Sequence, residues 1–110
     1  MATQHAESGE IIPLFPAPQG GERPGSVALI RDQHFEVFRL VMEVGKELPV
    51  HEVPSLITIQ CLRGRVEVIA HGRPRALPAG HLMYLAGGEP HGVKALEESS
   101  ILVTMLVGRE

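Results

Sequence analysis

The chain has 110 residues, 44% of them hydrophobic, and a formal net charge of −3 from 10 basic and 13 acidic side chains. That size fits one small domain with one modest core. No basic cluster is present to meet a phosphate backbone and no apolar run approaches membrane-spanning length, so neither nucleic acid nor a membrane is an expected partner.

Residues 1–25 form the first unit. Pro13, Pro16, Pro18 and Pro24 alternate with Gly20, Gly21 and Gly25. Proline removes amide donors and glycine adds chain entropy, so an N-terminal arm is expected here, not a packed element. The arm carries apolar Ile11, Ile12, Leu14 and Phe15. Two readings stay open: a flexible tail, or an arm that lies on the domain or crosses to a partner subunit. Met1 to Glu10 is polar and lacks an apolar segment after a basic start. With the single cysteine, Cys61, this leads to the expectation of a cytoplasmic protein.

Residues 26–110 read as one all-β domain. Short runs rich in Val, Ile, Leu and Thr predict strands at Val27–Arg31, Phe35–Val44, Leu56–Leu62, Arg65–Ala70, Arg75–Leu77, His81–Leu85, His91–Leu96 and Ile101–Val107. Breaks fall at Gly45, Arg63-Gly64, His71-Gly72, Ala79-Gly80 and Gly87-Gly88-Glu89-Pro90, each with turn chemistry. Asp32-Gln33-His34 is a candidate helical turn. Many short strands at close spacing point to a sandwich or barrel.

Two of these strands are apolar on both faces. In Ile101–Val107, Ile101, Val103, Met105 and Val107 share one face, and Leu102 and Leu106 lie on the other. Phe35–Val44 behaves the same way. A strand with one solvated face shows a polar set at every second position. The second apolar face therefore predicts cover by the arm or by another subunit, and a homodimer is expected.

Two glycine-anchored histidines carry the chemistry. Gly45-Lys46-Glu47-Leu48-Pro49-Val50-His51 precedes one strand, and Gly80-His81 leads through Gly88 to His91. Gly64 follows His51 at thirteen residues. These glycine and histidine spacings resemble the two motifs of the cupin superfamily over roughly Phe35 to Val107. The resemblance implies a double-stranded β-helix, or jelly-roll barrel, that holds a small molecule or a metal between such histidines. Four ligand positions are usual in that family, three histidines and one glutamate. His51 and His91 stand at two of them, while Val53 and Ile57 occupy the other two. In the second motif His81, Ala86 and Ala95 replace the usual aspartate, proline and asparagine.

By strand parity, His51, Val53, Ile57 and Ile59 face the barrel interior, with His91 and Val93 on a facing strand. These six residues are the candidate ligand-binding site, with His51 and His91 as candidate ligands for a divalent transition metal such as Zn, Fe, Mn or Ni. A catalytic metal generally takes about three protein ligands. Cys61, Glu52 and His81 are the remaining sources of a third. The metal-free reading uses the imidazoles directly, as hydrogen-bonding groups or in proton transfer. In the latter Tyr84, the one tyrosine, is the partner acid. Two functions follow: a small-molecule-binding module, or a metal-dependent oxygenase-like or isomerase-like enzyme with a reduced ligand set. Arg73 and Arg75 share a strand face beside a turn and read as a solvated edge.

Overall fold

The computed structural model describes residues 5–15 and 24–107. Nine strands follow in chain order: β1 Gly25–Arg31, β2 Phe35–Met42, β3 Glu47–His51, β4 Ile57–Arg63, β5 Arg65–Ala70, β6 Arg73–Pro78, β7 Leu82–Leu85, β8 His91–Ala95 and β9 Ser99–Leu106. No helix occurs among the described residues. The strands make two antiparallel sheets, one in the order β1-β2-β9-β4-β7 and the other β3-β8-β5-β6. This is the all-β architecture expected from the strand pattern, in the double-stranded β-helix form that the resemblance implies.

Alternation builds the core. In the first sheet Ile57, Ile59 and Cys61 of β4 pair with Met105, Val103 and Ile101 of β9. Phe38 and Leu40 of β2 pair with the same Val103 and Ile101. In the second sheet Val66, Val68 and Ala70 of β5 pair with Ala95, Val93 and His91 of β8. Cross-strand partners share a face, so these rows point at one another across the barrel. Ile59, Ile101, Val66 and Val68 are almost wholly enclosed, and each such side chain contributes about 1.5–3 kcal/mol of burial.

One strand was absent from the sequence expectation. Glu47–His51 forms β3, at the edge of the second sheet. Its side chains are mostly exposed and Pro49 interrupts it, which hides it from a search for apolar alternation. Proline is tolerated on an edge strand because its missing donor falls on the unpaired side. The register of β3 against β8 runs Leu48↔Val93 and then His51↔His91. Three steps on β3 match two on β8, a one-residue β-bulge at Pro49-Val50. Strict alternation would put Leu48 and His51 on opposite faces; the bulge lets both pair with inward residues.

Asp32-Gln33-His34 is the β1–β2 turn and not helical. The His34 amide donates to Asp32 Oδ1 at 2.9 Å, and the Asp32 amide donates to the Phe35 carbonyl at 3.0 Å. β1 itself begins at Gly25, two residues before the expected start at Val27. Residues 5–15 run against the first sheet of their own chain. The Ala6 amide donates to the Leu29 carbonyl at 2.9 Å, and Arg39 Nη1 donates to the Pro13 carbonyl at 3.3 Å. Pro16 and Pro18 lie outside the described residues.

The β4–β5 turn is fixed by two small residues. Gly64 has φ +80°, and a Cβ there would strike the Glu98 carbonyl oxygen and come within 2.9 Å of Ser99 Cα. Ser99 is fully buried, and its hydroxyl accepts from the Arg65 amide at 3.0 Å and donates to the Glu97 carbonyl at 2.8 Å. Both the left-handed backbone and the close approach demand glycine. Gly64→Ala should therefore destabilise the fold by about 2 kcal/mol or more. Urea unfolding at equilibrium measures this; a change below about 0.5 kcal/mol would show that the turn relaxes freely.

Candidate functional site

His51 ends β3 and His91 opens β8, and the two residues are direct cross-strand partners. Their ring centroids lie 4.7 Å apart with the planes tilted by 51°. They thus sit on neighbouring strands of one sheet, which corrects the expectation of facing strands. The pairing of β3 with β8 is the reason, and the bulge in β3 brings His51 into register with His91. His91 is only 5% exposed, whereas His51 is open to solvent.

Each imidazole is oriented by its own backbone. Nδ1 of His51 lies 3.0 Å from the Pro49 carbonyl, and Nδ1 of His91 lies 3.0 Å from the Glu89 carbonyl. A carbonyl oxygen can only accept, so Nδ1 carries the proton in both rings. In the neutral ring each Nε2 then holds a free lone pair. Backbone support of this kind also fixes the ring orientation of metal-binding histidines.

A cavity of about 340 Å³ opens beside His51. β2 supplies Phe38 and Leu40, β3 supplies Leu48, Pro49 and His51, and β9 supplies Val103 and Met105. Val53 and Ile57 complete the lining. So His51, Val53 and Ile57, three of the motif positions, share one cavity. Ile59, Val93 and His91 do not line it: all three are buried, at 1%, 4% and 5% exposure, and His91 reaches the cavity only through its contact with His51. Phe38 and Leu40 were visible in the sequence as one face of β2. Leu48 was not, because its inward position depends on the bulge.

The other candidates are dispersed. Cys61 is wholly buried, with Sγ 3.4 Å from the Arg63 carbonyl and 3.6 Å from that of Gly64. Burial pushes its thiol above the ordinary value, and a neutral enclosed thiol is a poor ligand or nucleophile. His81 is exposed, with Nδ1 3.2 Å from the Ala79 carbonyl. Glu52 is exposed and Tyr84 lines a different cleft, on β7. His71 Nδ1 lies 3.2 Å from Glu89 Oε1.

The donor set does not fit a tightly held metal. Two imidazoles converge, but the remaining motif positions in the cavity, Val53 and Ile57, offer no lone pair. Among the described residues no group of three or more His, Cys, Asp or Glu side chains is placed to hold an ion. A divalent ion there would gain too little to offset its desolvation.

Comparison with known proteins agrees on the fold. An RmlC-like cupin from Shewanella frigidimarina matches with a TM-score of 0.75 at 18% identity, over 98% of this chain and 97% of that one. An RmlC-like cupin protein from Desulfovibrio desulfuricans matches at 0.69 and 26%, over 74% and 80%. The DMSP lyase DddQ from Ruegeria pomeroyi matches at 0.70 and 22%, over 78% of this chain and 48% of that one. No family model matches the sequence, and no curated protein does. No helix among the described residues is long and apolar enough to cross a membrane.

Restoring the two absent ligands tests the shared orientation of these positions. Losing even an outer-shell partner typically weakens metal binding about 10–100-fold. The double change Val53→His and Ile57→Glu should therefore raise zinc affinity by at least about tenfold, read by competition with a chromophoric chelator. An unfolding transition measured alongside separates failure to fold from failure to bind. A folded variant with unchanged zinc affinity would show that the positions do not converge.

Proposed function

From the premise that the chain is a cupin by fold, we propose that it is a small-molecule-binding module whose ligand enters the apolar cavity beside His51. The observation that carries this reading is the His51 imidazole, backed by His91, with its free Nε2 at a cavity otherwise walled by Phe38, Leu40, Leu48, Val53, Ile57 and Met105. Small-ligand sites have this form: apolar walls with a few convergent polar groups, in volumes from roughly 300 Å³ upward. The apolar walls select a compact hydrocarbon body. The free Nε2 of His51 accepts a hydrogen bond from a hydroxyl or similar donor on that body. His91 packs against His51 at a tilt and holds it in place.

A symmetric homodimer belongs to the same proposal. The outer face of the first sheet leaves Val27, Leu82, Tyr84 and Leu106 exposed, and Ile11 and Phe15 of the arm are exposed as well. Covering such a face would offset the cost of its hydration. Light scattering at micromolar concentration should give twice the chain mass; a monomer would refute this part.

The ligand test uses a thermal-shift screen of small apolar molecules bearing one hydroxyl, followed by calorimetry on the hits. His51→Ala should weaken a hit about five- to tenfold, the worth of one hydrogen bond of roughly 1 kcal/mol. Because His51 is exposed, stability should change by less than about 0.5 kcal/mol. His91→Ala should weaken binding too, and also cost about 1–3 kcal/mol of stability, since it empties a buried site. Hits that bind both variants as they bind the native chain would remove the histidines from the site.

A further inference from the structure

We propose that a second site, on the other side of the barrel, binds a small organic carboxylate through Arg73 and Arg75. The register of β6 against β5 runs Val66↔Leu77, Val68↔Arg75 and Ala70↔Arg73. Val66, Val68, Ala70 and Leu77 are all core residues. Cross-strand partners share a face, so both arginines project from the core-facing side of β6. Both remain solvated on an edge strand, as the sequence suggested, but on its inner side.

The arginines stay exposed because the barrel is open between β6 and β7, the terminal strands of the two sheets. A cleft of about 360 Å³ lies there, lined by Val68, Ala70, Met83 and Leu85 as well as by both arginines. Its apolar lining comes from the inner faces of β5 and β7. Among the described residues no carboxylate pairs with Arg73 or Arg75. Glu89, which reaches His71 at the cleft, is already engaged: it accepts from the His71 amide at 2.9 Å and faces its imidazole at 3.2 Å.

Two guanidiniums on alternate residues of one strand originate about 7 Å apart. Each offers a planar fork suited to a carboxylate. Side by side over apolar residues, they fit an organic acid whose hydrocarbon body rests on Val68 and Leu85. Inorganic phosphate gains nothing from that floor. The site is separate from the His51 cavity and does not rest on it. An alternative use of inward charges is to keep the edge strand β6 from pairing with another chain.

The test titrates the full-length chain with succinate by calorimetry, with 1,4-butanediol as the uncharged analogue. Saturable succinate binding is expected, with none for the diol. Arg73→Gln and Arg75→Gln, at exposed positions, should each weaken succinate roughly tenfold or more. His51→Ala should leave it within about twofold, which keeps this site distinct from the first. Three results would overturn the proposal: no saturation at tens of millimolar succinate, affinity unchanged in both arginine variants, or phosphate competing as strongly as succinate. The first of these is the outcome expected if the arginines only guard the strand edge.

Discussion

The register of β3 on β8 is the constraint on which the His51 site depends. It depends on a tight approach at Gly92. A Cβ on Gly92 would lie 3.0 Å from the Leu48 carbonyl oxygen and 3.1 Å from Val50 Cγ2. The bare glycine lets the bulged segment at Pro49-Val50 lie down on β8. The bulge then turns both Leu48 and His51 toward the interior and sets the His51 ring against that of His91. Without it, one of the cavity's wall residues or its polar group would point to solvent. An edge strand with few buried side chains thus positions the chemistry, and its neighbour β8 supplies the rigidity.

Charge distribution separates the two openings of the barrel. Around His51 the motif positions Val53 and Ile57 are apolar, so the cavity has hydrogen-bonding capacity but no negative charge to hold a cation. Across the second sheet, Ala70 pairs with His91 on one side and with Arg73 on the other. His51, His91, Ala70 and Arg73 therefore form one row over four strands, all at the same end of the barrel. Every polar member of that row is a nitrogen donor or lone-pair bearer, and none is a carboxylate. Such a surface favours neutral or anionic partners over metal ions.

Much of this architecture was legible in the residues. Gly45, Gly64, Gly80 and Gly88 all adopt positive φ at turns, which is why their spacing carried the fold. The inward rows Ile57-Ile59-Cys61 and Val66-Val68-Ala70 follow from simple alternation. What escaped depends on register. β3 carries a proline and exposed side chains, so its strand character comes from pairing with β8 rather than from its own composition. The placement of Leu48 depends on a bulge, and that of Arg73 and Arg75 on pairing with β5. Ile59 and Val93 had the right parity for the site but lie deeper, where the sheets close on each other. Parity names a face; depth along the barrel axis is a tertiary property.

The central claim is that His51 and His91 are held by backbone carbonyls at Nδ1 and present unprotonated Nε2 atoms. Long-range ¹H–¹⁵N correlation spectra of the neutral side chains read the tautomer of each ring directly. The account predicts the Nδ1–H form for both, with the two Nε2 resonances at the position of an unprotonated nitrogen. An Nε2–H form at either residue would contradict it, and at His51 the ring would then offer a donor where the site requires a lone pair.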